Sequence, residues 1–371
     1  MSRFDPMELT AVAMSGGLDS SVAAWLLARE APEGHSVIGL SMLLWDHSGV
    51  EAHGRCCGAL DLGDARRVAQ QAGIPHYTLR MDEEFRQKVV DPFVSDYLSG
   101  RTPSPCVRCN TWIKFDLLLE KARRLGAGRV ATGHYARILD GPGGPELHTA
   151  ADAGKDQSYY LFELTQEQLA ASRFPLGGMS KREVREIARE AGLVVAEKGE
   201  SMEVCFVSGG IREFVETQVA EHPERYEAVP LAAPARLVDT TGRELGEGQP
   251  FYRYTVGQRR GLGLAAKSPL YVLAIEPGEN QVVVGEERDL LAPGLLGERL
   301  HWIGPAPDGK VEATVKIRSR HPGVTARIRP LGDGRVEVHF AEPQRGVTPG
   351  QAAVFYRGTR VLGGCWIQGR L

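Results

Sequence analysis

Nowhere in its 371 residues does the chain carry an apolar run of the length that crosses a bilayer. A helical membrane protein is therefore excluded, and no membrane partner is expected. The stretch Met1-Ser2-Arg3-Phe4-Asp5 lacks an apolar signal-like segment, so a cytoplasmic location is expected. Charge of one sign is missing too: 44 Lys and Arg against 47 Asp and Glu leave a net charge of −3. That balance removes the whole-chain argument for nucleic-acid binding but leaves local basic clusters open. There is no internal repeat and no low-complexity tract. Cysteine is sparse, six in all, and in a reducing compartment such residues point to thiol chemistry or metal binding rather than a disulfide framework.

What is present is the 42% hydrophobic and 25% charged content of an ordinary globular protein. The length predicts two or three domains. The most informative stretch is Ser15-Gly16-Gly17-Leu18-Asp19-Ser20-Ser21. An apolar run, Leu9 to Met14, precedes it, and a helix-like run from Val22 to Arg29 follows. Strand, glycine turn and helix N-terminus make an anion site: the glycines let the backbone curl close, and the first free N–H groups of the helix supply partial positive charge. The hydroxyls of Ser15, Ser20 and Ser21 are expected to add donors. The lysine that ends a Walker-type loop is absent, so that reading fails. Asp19 would repel a triphosphate unless a magnesium ion lay between them. The loop is therefore read as a pyrophosphate-binding loop.

The first half alternates short strands with helices. Strands are expected at Ser36–Leu44 and Arg129–Thr132, and helices at Asp61–Ala72 and from about Ile113 to Leu125. This pattern predicts an α/β fold with a doubly wound parallel sheet, whose ligands sit at the carboxyl ends of the strands. Ser15–Ser21, Met42 and Gly133-His134 all fall at such ends. Helices continue at Gln166–Ala171 and Lys181–Ala191, the latter with Ser180 as N-cap, and at Ile211–Ala220. Alternating strands then take over, at Val311–Arg318, Arg335–Phe340 and Gln351–Tyr356, with Val361-Leu362 in a final hairpin; they predict a small β-barrel. The expected domains are residues 1–209, 210–290 and 291–371.

Cys106-Val107-Arg108-Cys109 follows Arg101-Thr102-Pro103-Ser104-Pro105, where prolines stiffen the approach. A C-x-x-C pair serves redox exchange, half of a zinc site, or part of an iron–sulfur site. No second C-x-x-C exists. Cys205, alone in the apolar run Val204-Cys205-Phe206-Val207, reads from the residues first as a packed strand residue. Cys56-Cys57 is assigned a local structural role and Cys365 a place in the core. Lys316, Arg318, Arg320 and His321 form a basic cluster on the expected barrel, a nucleic-acid face or a solvated strand. Arg259-Arg260 is a phosphate contact or a charged turn.

In order along the chain, these segments resemble the bacterial tRNA-specific 2-thiouridylases of the PP-loop ATPase superfamily. The matching runs are Ser15–Ser21, Arg101–Pro105 with Cys109-Asn110 and Lys114-Phe115, Ala131–Tyr135, Lys155–Tyr159, Val204–Phe206, Thr255–Gly263 and Thr348–Tyr356. The resemblance implies an adenine nucleotide alpha-hydrolase-like first domain, a small central domain and a C-terminal β-barrel that contacts tRNA. It implies 2-thiolation of the wobble uridine in tRNA, with Mg2+ as cofactor and ATP consumed to AMP and pyrophosphate. Nucleotide contacts would be Ala13, Met14, Ser15, Gly16, Gly17, Leu18, Asp19, Ser20, Met42 and Gly133. Ser104, Pro105 and Cys106 would meet the target base; His134, Lys155, Asp156, Gln157, Arg318, Ser319 and Gln351 would meet tRNA.

By the same resemblance Cys205 would carry a persulfide received from a cysteine desulfurase or a sulfur-relay protein, and Cys109 would be the nucleophile that closes a disulfide with it. Many members carry Asp where this chain has Cys106. Either that thiol replaces a general acid or base, or Cys106, Cys109 and Cys205 ligate a [4Fe-4S] cluster that holds sulfur. Other readings are an amide-forming PP-loop ligase, which needs neither Cys109 nor Cys205, a non-catalytic tRNA-binding or redox-sensing protein, and a thiolase acting at another tRNA position.

Overall fold

The computed structural model describes residues 9–31, 35–45, 59–199, 204–207, 209–226, 233–307 and 309–371. Cys56-Cys57 lies outside them. The chain divides into two compact units. The first comprises residues 1–89, 106–206 and 359–361; the second comprises 90–105, 207–358 and 362–371.

In the first unit, β1 (Leu9–Ala13), β2 (Ser36–Leu43), β3 (His76–Arg80), β4 (Ala127–Ala131) and β7 (Ser172–Arg173) form a parallel sheet in the order β3-β2-β1-β4-β7. Helix α1 (Leu18–Glu30) follows β1, and α2 (Ala59–Ala72) leads into β3. The apolar faces of both helices bury Val22, Ala23, Ala65, Val68 and Ala69 against Val12 and Val37. Small alanines let the helices lie close to the sheet, where apolar area stabilises at about 25 cal/mol per Å2. Parallel strands joined by helices match the predicted doubly wound architecture. A hairpin of β5 (Ala136–Gly141) and β6 (Gly144–Thr149) pairs with Arg360 through His148.

Two local expectations change and a third holds. The helix expected from Ile113 begins at Pro105: an α turn (Pro105–Arg108) passes into a π-helical stretch (Cys109–Leu117) and then an α-helix (Leu118–Arg124). Proline at its first position lacks only an N–H that a helix start leaves unused. Cys205 lies in a turn rather than a strand, because neighbouring Phe206 turns inward onto Phe85 and Trp45 at ring separations of 5.5 and 6.4 Å. Ser180 does cap the helix Lys181–Glu190: its hydroxyl accepts from the Glu183 N–H while the Glu183 carboxylate accepts from the Ser180 N–H.

In the second unit, β8 (Arg236–Val238), β9 (Glu244–Glu247), β10 (Tyr271–Glu276) and β11 (Gln281–Gly285) form a sheet ordered β10-β11-β8-β9. Strands β12 (Leu291–Trp302), β13 (Val311–Lys316), β14 (Val324–Gly332), β15 (Arg335–Arg345), β16 (Ala352–Arg357) and β17 (Arg360–Arg370) run in the order β12-β15-β14-β13-β16-β17. Pairing of β12 with β17 closes them into an antiparallel barrel. Alternate residues (Val311, Ala313 and Val315; Val336, Val338 and Phe340) fill its interior. Cys365 is part of that filling, and burial pushes its thiol far above the usual thiol range.

Closure puts β17 hard against β12 at Gly363, whose φ is +149° and whose missing Cβ would stand 2.1 Å from the His301 carbonyl oxygen. Gly363→Ala is expected to cost about 1–3 kcal/mol of backbone strain and to lower the urea midpoint followed by tryptophan fluorescence. An unchanged midpoint would show that closure tolerates a side chain there.

Candidate active site

The Ser15–Ser21 loop is shaped by what surrounds it. Gly16 has φ +73°, and a Cβ there would stand 2.0 Å from the Asp61 carbonyl oxygen in the first turn of α2. Gly133, just past β4, lies as close to α1: its Cβ would meet the Asp19 carbonyl carbon at 2.6 Å and the Ser20 nitrogen at 2.7 Å. Two distant chain segments are thus packed backbone against backbone around the start of α1. Met14 ends β1 beside β2, where Ser41 Oγ donates to its carbonyl oxygen at 2.6 Å and its N–H donates to Leu40. Met42 is buried near the carboxyl end of β2. The sheet therefore gathers β1, β2 and β4 ends as expected.

The hydroxyls divide. Ser20 Oγ accepts from the Ser15 N–H at 3.1 Å, lies 3.2 Å from Ser15 Oγ, and donates to the Gly17 carbonyl at 3.2 Å, fixing the turn. Ser21 is fully buried, so the expectation that its hydroxyl serves an anion is corrected: α1 turns it into the core, as the periodicity of a helix requires at that position.

Two lysines that the linear motif does not reveal reach this loop. Lys181, first residue of its helix, donates to Asp19 Oδ1 at 2.6 Å, and Tyr135 Oη donates to the same oxygen at 2.9 Å. Asp152 holds the Lys181 N–H at 3.0 Å. Lys198 donates to the Gly16 carbonyl at 2.9 Å and to Asp61 Oδ1 and Asp64 Oδ2 at 2.6 Å each. Burial works against the Lys198 charge, but the bonds to Asp61 and Asp64 hold its ammonium above the usual lysine value. Burial likewise opposes the Asp64 charge, and the bonds from Lys198 and Arg67 keep its carboxyl below the usual range. Asp19, with one oxygen held, is the carboxylate beside the loop; Mg2+ takes one or two carboxylates plus substrate phosphates, and Asp19 fits that donor role.

Cys106 is exposed in the α turn, Cys109 is buried as the first residue of the π-helical stretch that follows it, and Cys205 is half-buried. Among the described residues no three His, Cys, Asp or Glu side chains lie together as a metal site. Asn110 donates to the Tyr160 carbonyl at 3.0 Å, and Thr111 bonds Val107 and Glu163, so the Cys109 stretch is anchored from both sides.

The expected tRNA contacts fall in different environments. His134 is buried, its Nδ1 lies 2.7 Å from Thr132 Oγ1, and its ring lies 5.8 Å from both Phe115 and Phe174. Asp156 accepts from Ala150 N, Ser158 N and Ser158 Oγ, and Gln157 exchanges bonds with the Tyr135 backbone, so both side chains shape their own turn; Lys155 is half-buried beside them. On the barrel Arg318 and Arg320 are exposed, with Ser319 between them and Lys316 half-exposed over Tyr356. His321 leaves the expected basic cluster: it is buried, bonded to Gln344 and to the Gly323 N–H, and burial lowers its pKa. Arg259 and Arg260 are exposed.

Three family profiles match. One described as a "tRNA methyl transferase HUP domain" covers residues 8–209, a "tRNA methyl transferase PRC-barrel domain" covers 231–286, and an "Aminomethyltransferase beta-barrel domain" covers 293–367. The tRNA-specific 2-thiouridylase MnmA of Geotalea uraniireducens is 51% identical over 96% of this chain and 94% of its own length. Its counterpart from Geobacter metallireducens is 51% identical over 96% and 95%. That of Solibacter usitatus is 49% identical over 98% of this chain and all of its own length.

Burial, with the Lys114 charge second, drives the His134 pKa well below its usual value. The unfolded chain then binds a proton that the folded one refuses, so stability is full above about pH 6.5 and falls by up to about 1.4 kcal/mol per pH unit below it. Urea titrations at about pH 7.5 and 5.5 are expected to show that loss in the native chain and a smaller one in His134→Gln. Equal losses in both would mean His134 does not supply it.

Proposed function

The chain belongs to the tRNA-specific 2-thiouridylase family, and from that premise we propose that it activates the 2-oxygen of the tRNA wobble uridine with ATP and replaces it with sulfur carried on Cys205. The family assignment makes it a sulfurtransferase that acts on tRNA. The observation that carries the proposed chemistry is the glycine loop at the start of α1 with Lys181 delivered to Asp19.

The uracil 2-carbonyl is a poor electrophile and its oxygen a poor leaving group. Attack of that oxygen on the α-phosphorus of ATP forms an adenylated base and expels pyrophosphate. The α1 N–H groups and Lys181 face the charge that develops on the departing phosphates, which is electrostatic stabilisation by groups already in place. Asp19 would hold the divalent cation, which neutralises phosphate charge when bound.

The terminal sulfur of a Cys205 persulfide then attacks carbon 2, and AMP leaves with the electron pair of the broken C–O bond. The Cys109 thiolate attacks the Cys205 sulfur, the sulfur on carbon 2 departs with the bonding pair as 2-thiouridine, and a Cys109–Cys205 disulfide remains. A thiol reductant restores both residues, and a cysteine desulfurase or relay protein reloads Cys205. The wobble base reaches the site by turning out of its single-stranded loop. Ser104, Pro105 and Cys106 are the proposed base contacts, and Arg318 with Ser319 the proposed tRNA contacts on the barrel. Sulfur held on a [4Fe-4S] cluster by Cys106, Cys109 and Cys205 is the alternative route, and a requirement for iron separates the two.

Nucleoside mass spectrometry tests this: unmodified tRNA is incubated with the protein, ATP, Mg2+, cysteine and a cysteine desulfurase. The expected product is 2-thiouridine at the wobble position, abolished by Cys205→Ser and formed without added iron. Thiolation that survives Cys205→Ser would refute the sulfur carrier. In the same assay Lys181→Met is expected to remove a charge-assisted contact of about 1.5–3 kcal/mol, slowing tRNA-dependent pyrophosphate release at least about tenfold. Release at the native rate would take Lys181 out of the nucleotide site.

A further inference from the structure

We propose that Gln351 is a positioning residue for the segment that presents the target base. The inference rests on the thiouridylase reading above and deepens it. It starts from a local problem in Arg101-Thr102-Pro103-Ser104-Pro105. Pro103 and Pro105 have no N–H, and each holds the residue before it out of the helical region, so the segment cannot join a ladder or a helix. Its carbonyl oxygens need donors from elsewhere, since an unpaired buried carbonyl is costly.

Gln351 supplies them. Its Nε2 donates to the Thr102 carbonyl at 2.9 Å and to the Pro103 carbonyl at 3.2 Å. The Thr102 N–H donates to the Pro349 carbonyl at 2.9 Å. Gly350, with φ +89°, lets the segment in: a Cβ there would stand 2.9 Å from the Thr102 oxygen and 3.0 Å from the Arg101 Cβ. The turn is itself rigid, because Ile367 N–H donates to the Gln351 carbonyl at 2.8 Å and Gly350 N–H to Ile367 at 2.9 Å, tying it to β17. On the other side Arg101 is bound to Asp96 at 2.7 Å. The segment is clamped at both ends just before Ser104 and Pro105, both of which are buried.

A primary amide has two hydrogens, and here each faces a carbonyl oxygen. Both of its donors are therefore spent on the segment. A residue that orients substrate-facing groups controls the rate at bound substrate, whereas a tRNA contact controls affinity.

The test is Gln351→Met, which keeps size and removes both donors, with Gly350→Ala as a second variant that displaces the segment and leaves the Gln351 side chain intact. Both are expected to lower kcat for thiolation about thirtyfold, with the tRNA Kd within about twofold of native. Hydrogen exchange at the Thr102 amide is expected to quicken in Gln351→Met while the Val338 amide in the barrel keeps the native rate, which separates a loosened segment from poor folding. A tRNA Kd raised about tenfold with unchanged kcat, or unchanged Thr102 exchange, overturns the inference. Absence of any thiolated product from the native protein would instead refute the thiouridylase reading.

Discussion

A carbonyl oxygen 2.0 Å from where a side chain on residue 16 would begin is the constraint around which the nucleotide loop is built. It forces glycine at that position and brings the loop backbone against the first turn of α2. Gly133 imposes the same condition from β4 onto the start of α1. With both contacts made between backbones, the loop cannot be displaced without moving a strand end or a helix. That rigidity is what an anion site needs, since N–H groups already aimed at the ligand lose little freedom when it binds. Lys198 adds an electrostatic tie on the same ground, joining the Gly16 carbonyl to the carboxylates of Asp61 and Asp64.

The charges around the loop then follow a simple logic. Asp61 and Asp64 are answered by Lys198, and Asp19 by Lys181 and the Tyr135 hydroxyl. Both lysines come from beyond residue 180, far along the chain from the loop they serve. A Walker-type loop carries its cation within the motif; this fold imports cations from a later helix and the segment after it. The arrangement links a late segment of the first unit to its beginning, so the shape of the glycine loop depends on that segment being folded. Cys205 lies only seven residues beyond Lys198 in the chain.

What was legible in the sequence was local. Ser15–Ser21 between a strand and a helix, Ser180 as a cap, and the alternation of Val311 to Lys316 each depend on neighbours a few residues apart, and each appears in the structure as read. What was not legible depends on tertiary packing. Lys181 and Lys198 give no linear signal, because 162 and 182 residues separate them from their partners. Ser21 and His321 look polar and available in a string of letters, yet their side chains turn inward. The turn at Cys205 replaced an expected strand because Phe206 finds an aromatic pocket with Phe85 and Trp45. An apolar run alone could not distinguish a strand from a turn anchored by one buried ring.

The prolines around Ser104 show how one sequence feature can create a demand that another must meet. Stiffness was the readable part: two fixed φ values narrow the shapes available to the approach to Cys106. The unread part is its consequence, a run of carbonyl oxygens with no local donors. The Gln351 side-chain amide answers that demand with both its hydrogens, while the Pro349 carbonyl accepts the Thr102 N–H and Gly350 leaves room for the segment. Rigid covalent geometry on one side and hydrogen bonding on the other fix the segment together. Neither would suffice alone, since the prolines limit shape without setting position, and the amide sets position only for a chain already held in an extended shape.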